Sequence, residues 1–322
     1  MKLRARTRVR TAAAGAVLLT AAAAAPEVPT AARVREADAA ISFLELDPDV
    51  TLRRMVFRPA RARGTVILLH GFPETLLAWS QVAPALGHDY EVHAFDWPGY
   101  GRSSRPNPGR FSYAPREYAR ILGRYIEAAG IDRSRLVIYA TDIGSLPALL
   151  LALEQPKVAR RIVVGDFAPF DRPHYMYASL RSLKDPATAD ATRANMNRTR
   201  DTILQTAFQS GLHAGAQYEL PMAFRQDIAD GWNYGTMTSA DAFFHYYAHF
   251  TRDQRFFEAN VGRLRTPVRV VWGERDVFIE SRMGSELAER LGVDLGLLPG
   301  VGHYPHLQRP DLTIAEIRAA ME

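Results

Sequence analysis

The chain has 322 residues, 47% of them hydrophobic, which suits one large α/β domain with an insertion and a sizeable core. Its net charge of +5 does not describe a nucleic-acid-binding surface, because Lys2, Arg4, Arg6, Arg8 and Arg10 supply all of it and the remainder is neutral. No cysteine is present, so disulfides, thiolate catalysis and cysteine metal sites are excluded.

The five basic residues precede an Ala-rich run over 11–25 that contains Val17-Leu18-Leu19. A basic start, a short apolar stretch and Ala-rich cleavage options near Ala25 predict a Sec-type signal peptide over 1–25, and hence a secreted or periplasmic protein. The apolar run is shorter than the ~20 residues that a membrane span needs, so no stable span is expected. Residues 26–40 are polar and Ala-rich and read as a linker.

Two short alternating segments, 41–46 and 52–57, flank Asp47-Pro48-Asp49 and predict a β-hairpin. Residues 65–69 read as a buried strand ending at His70-Gly71-Phe72-Pro73-Glu74. A second strand over 91–95 ends at Asp96-Trp97-Pro98-Gly99-Tyr100-Gly101-Arg102-Ser103. A helix follows, with Tyr118, Ile121, Leu122, Tyr125 and Ile126 on one face. Next come a strand to Ala140, a helix over 146–154 and a strand over 161–165 ending at Asp166. Strands over 268–272 and 293–298 and a helix over 311–321 close the chain.

Strands alternating with helices imply a mostly parallel sheet with helices on both faces, and functional residues at the carboxyl ends of strands. That core takes in 41–169 and 263–322. Between them, 170–262 breaks the rhythm. It is rich in aromatics and Met, with Pro186, Pro221 and Gly231 as breaks, and reads as an inserted helical cap.

The stretch from Leu136 to Gly144 is a β-branched apolar run followed by Ala140-Thr141-Asp142-Ile143-Gly144. This resembles the nucleophile elbow of the α/β-hydrolases, with Asp in the serine position. A carboxylate is ionised at neutral pH and suits displacement at saturated carbon, with water then hydrolysing the alkyl ester. The competing reading is a turn whose Asp only caps the next helix. Asp276, in Trp272-Gly273-Glu274-Arg275-Asp276, and His303, in Gly300-Val301-Gly302-His303, follow in the order nucleophile, acid, histidine. A carboxylate keeps the imidazole in one tautomer while its other nitrogen activates water. The backbone N–H groups of Phe72 and Ile143 are the expected oxyanion donors. Such chemistry needs neither a metal nor an organic cofactor.

These motifs together resemble the epoxide hydrolase and dehalogenase branch of the α/β-hydrolases. The resemblance covers about 41–320 apart from the cap, and is nearest to epoxide hydrolases. It implies cap tyrosines that hydrogen-bond the epoxide oxygen. In Phe243-Phe244-His245-Tyr246-Tyr247-Ala248-His249-Phe250, Tyr247 would be the donor, with Tyr246 as alternative. His174, Tyr175, Tyr177 and His213 are candidates for the partner donor, and Trp97 for substrate contact. Some relatives take the triad acid from the position of Asp166, so Asp166 stands as the alternative to Asp276. Haloalkane dehalogenases typically carry Asn after His-Gly and Trp after the nucleophile, and fluoroacetate dehalogenases Arg after the nucleophile. Here those positions hold Phe72 and Ile143. The expected activity is opening of a small apolar epoxide to a diol. A dehalogenase with the same nucleophile and a non-catalytic ligand-binding protein are the alternatives.

Overall fold

The computed structural model describes residues 39–322. The expected signal peptide and nearly all of the linker lie outside the described residues. Eight strands form one sheet: β1 (Ala40–Asp47), β2 (Val50–Phe57), β3 (Thr65–Leu69), β4 (Glu91–Phe95), β5 (Leu136–Thr141), β6 (Arg161–Gly165), β7 (Val268–Gly273) and β8 (Leu295–Leu298). Their order is β1-β2-β4-β3-β5-β6-β7-β8. The β1–β2 hairpin and the β2–β4 pair are antiparallel, and every pair from β4 onward is parallel. Asp47 closes the hairpin by accepting from the Asp49 N–H at 3.0 Å.

Parallel strands covered on both faces are apolar at successive positions, and β3 and β5 are buried throughout. Alternation then divides them. Val66 and Leu68 pack with α1 (Val82–Gly87) and the closing helix α11 (Pro310–Met321). Ile67 and Leu69 pack with α2 (Pro115–Ala128) and α3 (Ser145–Glu154) on the other face. The helices α9 (Ser281–Leu291) and α10 (Pro305–Gln308) complete the core. The last strand begins at Leu295 rather than 293, because the Val293 N–H donates to Ala288 and closes α9 behind the left-handed Gly292.

Between β6 and β7 stand α4 (Ala178–Lys184), α5 (Ala189–Arg198), α6 (Arg200–Thr206), α7 (Met222–Trp232) and α8 (Ser239–Asn260). The 22-residue α8 starts at a capping box in which Thr238 and Asp241 satisfy each other's backbone N–H groups. A buried ion cluster fixes α7 to the core. The Arg53 guanidinium contacts Asp96 at 2.6 Å and Asp227 of α7 at 2.5 Å, and the Thr75 hydroxyl donates to Asp227 at 2.6 Å. Among the described residues, no helix is long and apolar enough to cross a membrane.

Candidate active site

The chain turns sharply after β5, and Asp142 takes a left-handed backbone, φ +48°, that few non-glycine residues adopt. That turn lifts the side chain off the strand end. It also brings the neighbouring turn very close: a methyl group added at Gly71 would lie 2.5 Å from the Asp142 Cβ, so only glycine fits there. The approach lets the Phe72 N–H donate to Asp142 Oδ1 at 2.7 Å. The carboxylate makes no capping bond to α3, which removes the helix-cap reading of this residue. The Ile143 N–H makes no bond to the carboxylate in this arrangement. The Ile143 carbonyl accepts from the Tyr246 hydroxyl at 3.3 Å instead.

His303 lies in the loop after β8. Its Nδ1 faces Asp276 Oδ2 at 2.8 Å, and its Nε2 lies 3.5 Å from Asp142 Oδ2. The other Asp276 oxygen accepts from the Phe278 and Ile279 N–H groups at 2.8 and 3.0 Å, which fixes the carboxylate's orientation. Burial disfavours a charged imidazole, but Asp276 and Asp142 outweigh it and hold His303 well above the usual histidine range. In the resting site the two carboxylates therefore favour the protonated ring.

Asp166, at the end of β6, is also buried and also has a left-handed backbone, φ +53°. It accepts from the Gly273 N–H at 2.9 Å. Burial, and then the Asp276 charge, push its carboxyl well above the ordinary range. Polar atoms of Asp166, Asp276 and His303 lie within 4.8 Å of one another, a spacing that could hold a cation. Here His303 Nδ1 and Asp276 Oδ2 are paired with each other, and Asp166 Oδ1 with the Gly273 N–H. The structure thus puts Asp276 on the imidazole and Asp166 beneath it.

Asp142 lies between two spaces. One is a cavity of about 240 Å³ that also touches Phe72, Tyr177, Phe243, His303 and Tyr304. The other is a pocket of about 10 Å³, room for about one water. Tyr246, Tyr247, Phe167, Ala168, Phe250 and Ile279 enclose it together with Asp142 and Ile143. Burial and the Asp142 charge push the Tyr247 phenol well above 10, so it stays protonated. Its hydroxyl has no hydrogen-bond partner among the described residues, whereas that of Tyr246 is spent on Ile143.

A model of the alpha/beta hydrolase family matches residues 66–316. The chain belongs to the alpha/beta hydrolase family. Relatives of this hydrolase include a fluoroacetate dehalogenase from Burkholderia sp., 34% identical over 38% of this chain and 39% of that protein. The mouse bifunctional epoxide hydrolase 2 is 21% identical over 88% of this chain and 56% of its own length. The chain thus spans about two fifths and just over half of these two relatives. In fold it is similar to Cfl2 from Burkholderia cenocepacia, with a TM-score of 0.73 at 20% identity over 88% of this chain and 95% of that one. Haloalkane dehalogenase DbeA from Bradyrhizobium elkani gives 0.72 at 18% identity over 88% and 98%.

Several sequence expectations for this hydrolase need correction. Trp97 does not reach the substrate space. It is fully buried, stacks on Tyr118, and ties down His70 through its backbone N–H and its indole N–H at 3.2 Å each. His174, Tyr175 and His213 do not line the cavity either. His174 and His213 are exposed, and Tyr175 packs between His174 and Arg282. Of the partner-donor candidates only Tyr177 borders the cavity, and it stands half exposed against Phe278.

Other features of the site escape sequence reasoning. Tyr304 borders the cavity, and its hydroxyl donates to the Phe72 carbonyl at 3.2 Å. Glu74 accepts from the Gly71 N–H at 2.7 Å and meets His306 Nε2 at 2.6 Å, with both side chains fully buried. Burial opposes the Glu74 charge, but His306 holds that carboxyl below its usual range. Glu74 and His306 both lie within motifs that the sequence displays, yet 232 residues separate them and no local pattern joins them.

Proposed function

We propose that this hydrolase opens epoxides to vicinal diols through an ester on Asp142. Tyr247 carries the reading: a protonated phenol without a protein partner shares with the nucleophile a pocket that fits about one oxygen atom. Asp142 Oδ2 attacks an epoxide carbon. The carbon–oxygen bond breaks as the new ester bond forms, and Tyr247 donates to the developing alkoxide. Oδ1, already held by the Phe72 N–H, becomes the ester carbonyl. Once esterified, Asp142 no longer carries the charge that helped protonate His303. The imidazolium gives its proton to the alkoxide, which completes the hydroxy-ester, and Asp276 then orients the neutral ring to take a proton from water attacking the ester carbonyl. Phe72 stabilises that oxyanion, and collapse of the intermediate releases the diol and restores the carboxylate.

The second reading is a dehalogenase with the same nucleophile, supported by the relatives of that name. It needs N–H donors for the departing halide, and three of the four tryptophans use theirs elsewhere: Trp97 on His70, Trp232 on Asn197 and Trp272 on Ile279. Trp79 packs against Tyr139 and His306 behind the sheet. Tyr247 would have to hold the halide without help from an indole.

The test is His303→Gln, incubated with an epoxide and organohalide panel in ¹⁸O-water. An adduct mass on the peptide containing Asp142, formed from epoxides, supports the reading. Halide release without any epoxide adduct selects the dehalogenase. Binding without turnover of either class selects a non-catalytic protein. Export through the basic, Ala-rich leader is a further proposal, tested by N-terminal sequencing of protein recovered outside the cytoplasm.

A further inference from the structure

The two unequal spaces around Asp142 also bear on what the substrate looks like, given the epoxide reading above. On the Tyr247 side there is room for about one water-sized group, and Phe167, Ala168, Phe250 and Ile279 close it. An epoxide oxygen fits there, and a second carbon substituent does not. All remaining bulk must enter the larger cavity. Near Asp142 that cavity is apolar, with Phe72, Phe243 and Phe278 in its wall.

Farther out, on α5, α6 and the turn that follows, its wall carries Asn195, Thr199, Thr206 and Ser210. All three hydroxyls among these have already given their protons to nearby backbone carbonyls. Thr199 donates to the Asn195 carbonyl at 2.9 Å, Thr206 to Thr202 at 2.8 Å and Ser210 to Thr206 at 3.1 Å. What these three turn toward a ligand is lone pairs, while the Asn195 amide and the Ser179 hydroxyl beside them can still donate. No Lys or Arg lines the cavity, and its only charged members are Asp142 and His303. An anionic chain end would meet these lone pairs with no Lys or Arg in the wall to offset its charge.

We infer that the substrates are terminal epoxides whose single substituent is neutral, apolar next to the ring and capped by a hydrogen-bond donor such as a hydroxyl. The proportions of the two spaces and the lone pairs of Thr199, Thr206 and Ser210 select this class together.

Four substrates test it on the full-length enzyme: a terminal six-carbon alkyl epoxide, its chain-end alcohol, its chain-end carboxylate, and an internal isomer of the alkyl compound. The alcohol is expected to match or exceed the alkyl epoxide in kcat/KM. The carboxylate and the internal isomer should fall by about tenfold or more. Thr199→Val combined with Thr206→Val should lower the ratio of alcohol to alkyl turnover. Equal turnover of the carboxylate or of the internal isomer overturns the inference, and an unchanged ratio in the double variant overturns its donor part. Should His303→Gln give no adduct with any of the four, the epoxide reading itself falls and takes this inference with it. If adducts form at equal rates on all four, only the inference falls.

Discussion

Replacing Tyr247 with Phe removes one hydroxyl and nothing else. The ring keeps its packing against Phe243 and Phe250, whose centroids lie 4.7 and 4.8 Å away. Because the hydroxyl has no partner among the described residues, its loss orphans no buried group, and stability should change by less than about 0.5 kcal/mol. The chemical cost is larger. Removing one preorganised donor to a developing oxyanion typically costs roughly 100- to 1,000-fold in rate. The pocket already has room for about one water, and the lost oxygen adds to it. A water donating in place of the phenol puts the expected loss near the lower limit, about 100-fold or about 2.7 kcal/mol in the alkylation step. Rapid-quench single turnover, with the Asp142 peptide weighed at each time point, measures that step apart from ester hydrolysis. Tyr246→Phe is the matched control. It gives up a 3.3 Å bond to the buried Ile143 carbonyl, so it should cost about 1 kcal/mol in urea denaturation while alkylation slows less than about tenfold. Alkylation at the wild-type rate in Tyr247→Phe, or a larger loss in Tyr246→Phe, would refute the assignment of the donor.

The raised His303 predicts a split pH profile: alkylation stays flat across neutral pH, while ester hydrolysis rises with pH as the imidazole loses its proton. Because esterification removes the Asp142 charge, hydrolysis should titrate at lower pH than the imidazole of the resting enzyme. Nitrogen NMR of the free protein set against the hydrolysis profile would show a coincidence if that coupling is absent. The same shift has a stability sign: the His303 contribution is complete below the unfolded histidine value, about 6.5, and is lost as pH rises through the higher folded value. Asp276→Asn should slow ester hydrolysis by about 10⁴-fold with adduct accumulating, whereas Asp166→Asn keeps most of the rate. The reverse ranking would make Asp166 the triad acid. Asp166→Asn should also gain stability over wild type as pH rises above about 4, because a carboxyl kept neutral by burial opposes folding once its unfolded counterpart ionises. Glu74→Ala strands the Gly71 N–H and His306 in the interior, with an expected loss of about 3–5 kcal/mol in urea denaturation. A loss below 1 kcal/mol would mean water replaces the carboxylate.

Strands β3 to β7 were legible because both faces of the sheet are covered and the apolar runs are unbroken. The turns at Asp142, Gly71 and His303 were legible because special backbone and titratable chemistry coincide within a few residues. Asp142 itself was ambiguous as a short pattern. Its backbone angle and the Phe72 hydrogen bond set it apart from a helix cap, and neither is a property of local sequence. Trp97 was misplaced for a related reason. A tryptophan beside a functional turn looks the same whether it faces substrate or, as here, braces the turn from behind. The cap resisted most. Which of Tyr246 and Tyr247 is free depends on how α8 rolls against the elbow, and the two are adjacent in an aromatic run with no break in pattern.

The Arg53 cluster constrains how anything gets in and out. Its three acid and base members sit in the interior on β2, the turn after β4 and α7, so lifting α7 would strand charges at a cost of about 3–5 kcal/mol for a single broken pair. That side of the insertion is expected to act as a fixed wall. On the epoxide reading, exchange of substrate and diol is left to the margin at α5 and α6, whose exposed polar residues Asn195 and Thr206 border the cavity. Where diol release limits the rate, substitutions on that margin should change the pace of the enzyme without touching its chemistry.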